Sequence, residues 1–247
     1  TAYLPDAIKK AFAESDALAL ECNTELFEKQ LKDDETLAQQ VSNLYYSTTG
    51  YTYVESLLQV VDYKKACQYL KAAGGYTENM PYAKPFLWAE SLEGFYLQQG
   101  FQLHADQGVE MRLIEWAKEQ NKEILEIESA IDQLKMTSLF SNGLQKVLLE
   151  SALETTSREY REETMELYEK WCAGDEATLR EAVAIKWDET DMTQDEINDL
   201  KPLFEEYYKK MDTDRNKGML ESAIDYLESN KVIFYAVGIA HLLDESP

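Results

Sequence analysis

The apolar run from Lys231 to Leu243 places Gly238 and then His241 after a stretch of strand-forming residues, and it constrains the fold more than any other segment. Val232 to Val237 carries no charge and is rich in β-branched and aromatic residues, which predicts a strand. Open α/β sheets hold their ligands at the carboxyl ends of their strands. A glycine and an imidazole delivered at that end make His241 a candidate ligand or catalytic group. A strand-end histidine can equally serve by hydrogen-bonding a nearby loop.

Two further segments supply companions for this strand. Ala17 to Leu20 is a short apolar run that stops abruptly at Glu21, as a strand buried on both faces does. Lys122 to Glu128 alternates apolar and charged residues, so a third strand is expected with Glu128 at its carboxyl end. Helical spacing governs the rest. Leu4, Ile8, Ala11 and Phe12 recur behind Pro5, and helices are predicted over 108–120, 138–173, 195–211 and 215–228, the last capped by Thr213 or Asp214. From Thr24 to Gly100 the pattern is mainly helical, with breaks at Thr49-Gly50, Gly74-Gly75 and between Pro81 and Pro85. The expected fold is α/β, a small central sheet with a large helical insertion, predominantly helical overall. It is expected as one domain over 1–247, with 24–107 and 138–211 as mainly helical regions around the α/β core.

Charge narrows the function classes. Twenty-four Lys and Arg against 47 Asp and Glu give a net charge of −23, which repels phosphate backbones and anionic membrane surfaces. Nucleic acid is therefore not an expected partner. Apolar runs reach only the length of a buried strand, and the residues after Thr1 show neither a basic n-region nor an apolar h-region, so neither a transmembrane segment nor a signal peptide is expected within the chain. Acidic stretches at Glu159 to Glu169 and Asp188 to Glu196 read as solvated helical faces. Cys22, Cys67 and Cys172 lie far apart with no C-x-x-C spacing, which predicts free thiols.

Several segments occur in a telling order: Leu4-Pro-Asp-Ala-Ile8 leading to Asp16 through Glu21, then Gly108-Val-Glu110, Ile127-Glu128 with Gln133-Leu134, Trp171 with Gly174-Asp175, Arg215-Asn216, and Val237-Gly238 with His241-Leu242. Together they resemble the TraB/GumN family, related to the Tiki proteins, over nearly the whole chain. The resemblance implies an α/β core with helical insertions and a metal-dependent peptidase or hydrolase activity built from two Gly-x-x-His motifs and an acidic residue. His241 matches the second motif and Glu21 the acidic position. The family pattern places its first Gly-x-x-His ahead of Thr1, and a further helix and strand after the second motif. Family members often carry export signals, which with the acidic balance and low thiol use points to an extracellular or surface-anchored bacterial protein.

The chemistry of the residues gives the same candidates roles. A divalent ion such as Mn, Co or Zn takes imidazole and carboxylate ligands and an open position for water, so Glu21 and His241 are candidate metal ligands and catalytic groups. Arg215 is a candidate catalytic clamp for an oxyanion or a substrate carboxylate, with Glu128 beside it as a substrate-binding group. A buried ion pair between Arg215 and one of these glutamates is the structural alternative. The expected partner is a peptide or small-molecule substrate, and the rival is a non-catalytic module that sequesters a peptide.

Two features lead elsewhere. Asp212, Asp214, Asn216 and Gly218 resemble the opening of a calcium loop, but the glycine comes one position late and the twelfth position is Ala223. His104 is the only other histidine and is expected in a loop with a structural or solvent role. Tyr45, Tyr46, Tyr51 and Tyr53 read as packing aromatics that could also line a peptide groove.

Overall fold

Ala17–Leu20 forms strand β1, buried at every position, because its four apolar side chains alternate between two covered faces of a sheet. The computed structural model describes residues 4–49, 53–101, 108–174, 176–183 and 192–243. His104, Tyr51, residues 188–191 of the second acidic stretch and the last four residues lie outside that range. In chain order, α1 (Asp6–Glu14) precedes β1 and α2 (Thr24–Asp33) follows it; then come α3 (Glu35–Tyr45), α4 (Tyr53–Leu57), α5 (Val60–Ala72) and α6 (Pro85–Phe101). Next are α7 (Val109–Glu119), β2 (Glu123–Glu126), α8 (Ala130–Ser138), α9 (Asn142–Glu154), α10 (Ser157–Ala173) and α11 (Glu176–Val183). The described chain closes with α12 (Gln194–Tyr208), a π-helical turn at Lys209–Thr213, α13 (Asp214–Glu228), β3 (Ile233–Ala236) and α14 (Ala240–Leu243). This is the expected α/β fold, predominantly helical around a small parallel sheet.

The chain divides into two compact units. The first comprises Thr1–Leu37, Leu103–Gln133 and Lys210–Pro247 and contains the sheet. Its strand order is β2-β1-β3, with both pairings parallel. Register aligns Leu18 with Ile124 and Phe234, and Ala19 with Leu125 and Tyr235. The first row faces Phe12 of α1 and Leu113, Ile114 and Ala117 of α7; the second faces Met219 and Tyr226 of α13. A helix layer on each face is what allows a central strand with no polar side. β3, by contrast, lies at the sheet's edge and is only half-buried, so the longer apolar run of the sequence belongs to the less buried strand.

The second unit, Ala38–Gln102 and Leu134–Lys209, is helical. Its core gathers Trp88, Ala89, Leu92 and Tyr96 of α6, Leu149 and Leu153 of α9, and Ala66 and Leu70 of α5. The polar tips of the buried aromatics are satisfied: Trp88 Nε1 donates to Met80 O at 3.0 Å and Tyr96 Oη to Ala152 O at 2.7 Å. The helical stretch expected over 138–173 is interrupted twice, by Ser141 capping α9 and by a capping box in which Thr156 and Glu159 exchange hydrogen bonds at the start of α10. Tyr45 stacks on Phe86, a packing role.

One boundary differs from expectation. Thr213 adopts helical dihedrals and makes no side-chain cap bond, so α13 begins directly from the π-helical turn. A π turn inside a helical stretch frequently marks a functional site, because the extra residue re-aims the side chains that follow it. Those that follow here are Arg215 and Asn216. The calcium-like spacing of Asp212 to Gly218 is accordingly wound into helix, and Asn216 Nδ2 donates to Asp212 Oδ1 at 2.8 Å.

Candidate functional site

All three strands run the same way, so Glu21, Glu128 and Gly238 emerge along one edge of the sheet. The order β2-β1-β3 also means that the chain steps from β1 to β2 on one side and then crosses back over β1 to β3 on the other, so the strand order reverses at β1. The carboxyl ends of β1 and β3 then flank the crevice where open α/β sheets bind ligands. Glu21 follows β1 directly. Two backbone bonds carry the edge past the strands: Ile127 N–H donates to Leu20 O and Glu128 N–H to Glu21 O, each at 2.8 Å. They bring Glu128 alongside Glu21 although β2 ends at Glu126.

Arg215, on the first turn of α13, joins the two carboxylates. Its Nη2 donates to Glu21 Oε2 at 2.7 Å and to Glu128 Oε2 at 2.8 Å, while Nε reaches Glu128 Oε1 and Oε2 at 3.2 and 3.1 Å. Side-chain exposure is 10% for Arg215, 12% for Glu128 and 27% for Glu21, so most of the cluster is shielded from water. Two more donors complete it. Gly238 N–H donates to Glu21 Oε1 at 2.6 Å, and Gln133 Nε2 to Glu128 Oε2 at 3.0 Å. Burial opposes the Arg215 charge, but bonds and charges from Glu128 and Glu21 outweigh it and hold the guanidinium above its ordinary pKa.

Gly238 is where glutamate and histidine meet. A Cβ built on it would lie 3.2 Å from Glu21 Oε1 and 3.9 Å from His241 Cδ2, so the two functional groups flank the bare backbone of this residue. His241 then sits on α14, its own N–H bonded to Gly238 O at 3.1 Å. Its Nδ1 lies 2.7 Å from Asn216 Oδ1, and among the described residues nothing hydrogen-bonds Nε2. Burial lowers the imidazole pKa below 6.5, the Arg215 charge adds to that, and Glu21 and Glu128 oppose both.

A testable consequence follows from the sign of that shift. Above pH 6.5 the ring is neutral in folded and unfolded chains alike. As pH falls, the unfolded chain takes up the proton first, so this histidine costs stability increasingly from about 6.5 downward, and the cost stays at its full size once the native ring also protonates. In a His104→Gln background, the single remaining ring should titrate with a midpoint below 6.5 by NMR. A midpoint at or above that value would mean that the two glutamates, not burial and Arg215, govern His241.

Two cavities open beside this cluster. One of about 230 Å³ is lined by Glu21, Cys22, Gln133, Leu113 and Ile114, among others. Cys22, one of three free cysteines, has its thiol form favoured there, since burial and then Glu126, Glu21 and Glu128 raise its pKa. The other, of about 500 Å³, is bounded by Asn216, Met219, Leu220, Tyr235, Val237 and His241.

A family model described as TraB/PrgY/gumN matches residues 1–246. The chain belongs to the TraB/PrgY/gumN family. No curated protein and no solved structure matches it. Within this TraB-family chain the four sequence-predicted residues Glu21, Glu128, Arg215 and His241 lie together. Asn216 and Gln133, to which the sequence alone assigned no role, take part through hydrogen bonds to His241 and Glu128, and Gly238 of the Gly-x-x-His motif through its N–H bond to Glu21. Asn216 and Gln133 stand within the family-like motifs themselves, and Asp212 lies one helical turn before Asn216, a spacing that pairs side chains on one helix face. Among the described residues no helix is long and apolar enough to cross a membrane.

Proposed function

We propose that this TraB-family chain is a hydrolase domain that acts on a peptide or similar small substrate with the help of a divalent cation. The observation that supports it is the meeting of Glu21 and His241 across Gly238 at the crevice between β1 and β3. Glu21 and His241 would hold the ion, Arg215 would clamp developing negative charge, and Glu128 would hold Arg215 in place. A bound divalent ion would acidify its water and polarise a scissile carbonyl.

The donor set fits such an ion in part. A catalytic zinc takes three protein ligands, and among the described residues no group of three His, Cys, Asp or Glu side chains could hold a metal. Glu21 and His241 supply two donors of the right chemistry, and the first Gly-x-x-His of the family pattern would supply another. Nε2 of His241 can accept a proton, Arg215 bridges the two carboxylates, and Gln133 orients Glu128.

A second reading has its own support. Every oxygen of Glu21 and Glu128 already accepts an N–H bond. A closed ionic network beside a cavity lined largely by apolar residues suits a module that sequesters a peptide without cleaving it. Its setting in either reading would be extracellular or at a bacterial surface.

Metal content and turnover of natively purified full-length protein decide between them. Stoichiometric metal is expected, with hydrolysis stimulated by Mn, Co or Zn. His241→Ala should abolish both while changing stability by no more than about 2 kcal/mol, since its ring lies at a crevice and not in the core. Protein without metal and without turnover on adding any of the three ions would establish the sequestering module instead.

A further inference from the structure

The geometry points to Asn216 and Asp212 as positioning residues that hold the neutral His241 ring as its Nδ1–H tautomer and leave the lone pair on Nε2. Asp212 is the fixed point of this arrangement. A carboxylate only accepts hydrogen bonds, and Asn216 Nδ2 lies 2.8 Å from Asp212 Oδ1. That bond fixes which end of the Asn216 amide faces which neighbour. Turning the amide over would set its oxygen against the carboxylate and lose the bond, so the NH₂ end stays on Asp212 and Oδ1 stays on His241.

The imidazole has no freedom left. Asn216 Oδ1 carries no proton, so the 2.7 Å contact with Nδ1 is a hydrogen bond only if Nδ1 donates. A neutral ring holds one N–H, and its other nitrogen then keeps the lone pair. The opposite tautomer would turn Nε2 into a donor, useless as a metal ligand or as a proton acceptor. Asp212 and Asn216 are one turn apart, on the π-helical turn and the start of α13, so the same local winding aims Arg215 at the carboxylates and Asn216 at the ring.

The tautomer assignment stands on these bonds alone; its use for a metal rests on the hydrolase reading. Long-range 1H–15N correlation spectra of the full chain, in a His104→Gln background and at a pH where the ring is neutral, read the two nitrogens directly. Wild type should show a protonated Nδ1 and a bare Nε2. Asn216→Asp, which keeps the acceptor oxygen, should preserve that pattern, whereas Asn216→Leu should yield a mixture of tautomers. Asp212→Leu should do the same by freeing the amide to turn, and so should Asp212→Asn, because an amide there can donate as well as accept and no longer fixes which end of Asn216 faces it. A protonated Nε2 in wild type, or an unchanged Nδ1–H in Asn216→Leu, overturns the proposal. Zinc or manganese titration reads the other question separately: Asn216→Leu should lower affinity about 10- to 100-fold. Loss of the tautomer without any loss of affinity would confirm the lock and refute the ligand role of Nε2.

Discussion

Arg215→Met is expected to destabilise the sheet-bearing unit by about 3 kcal/mol, because it leaves two mostly shielded carboxylates facing each other without a cation. Glu128 suffers most, since Arg215 contacts both of its oxygens and its side chain is only 12% exposed. Glu21 retains more solvent and its bond from Gly238 N–H, which keeps the loss toward the lower end of what broken buried ion pairs cost. The substitution should also raise the His241 midpoint, by removing the positive charge that lowers it and leaving Glu21 and Glu128 unopposed. Adding Glu21→Gln and Glu128→Gln to Arg215→Met should recover most of the lost stability, as no unpaired charge then remains. Denaturant unfolding checks both. A single substitution that costs under about 1 kcal/mol would place the cluster among solvent-screened surface pairs.

Leu18→Asp should prevent folding of the same unit. Leu18 is fully buried at the middle of the sheet, its register neighbours are Ile124 and Phe234, and helices α1 and α7 close that face, so an introduced carboxylate would have neither water nor a partner. Val237→Asp is the control. Val237 lies just past β3, half-buried at the edge, where a carboxylate can lean into solvent, and the expected cost is about 1 to 3 kcal/mol. Far-ultraviolet circular dichroism and melting of the two variants make the comparison. Equal effects would mean that the edge strand is as tightly enclosed as the centre.

These expectations show what a single sequence carries. All three strands were legible, β1 and β3 as short uncharged runs that stand out against a helical, acidic background and β2 by the alternation of apolar and charged residues around it. Their ranking by burial was not: β3 has the longer apolar run but lies at the edge, and only its neighbours in the sheet decide that. The break before α10 was available in Thr156-x-x-Glu159, a capping signature hidden inside a continuous helical pattern. Thr213 offered a good cap residue and is instead wound into a π turn, a local choice that side-chain propensity does not encode.

The site was partly legible for a different reason. Glu21, Glu128 and His241 announce themselves as polar residues at the ends of strand-like runs, and the chemistry of a carboxylate site suggested Arg215 as their cation. The bonds among them were not legible, since they span 194 residues in the case of Arg215 and Glu21 and 217 for Gly238 and Glu21. Asn216 and Gln133 were visible only as letters within motifs. Their roles depend on which atoms lie opposite, and that follows from the packed sheet edge alone.

The spacing of the strands has a consequence for how such a molecule comes into being. β1, β2 and β3 begin at residues 17, 123 and 233, and every ladder bond joins parts of the chain that leave the ribosome far apart in time. Contacts of such long separation form slowly, because much chain entropy is lost before any of them is rewarded. Both segments of the helical unit have emerged before α13 and β3 are made. During synthesis β1 therefore waits, fully apolar and lacking one of its two neighbours, until Ile233–Ala236 is made more than two hundred residues later, and the crevice that joins glutamate to histidine exists only from that point on.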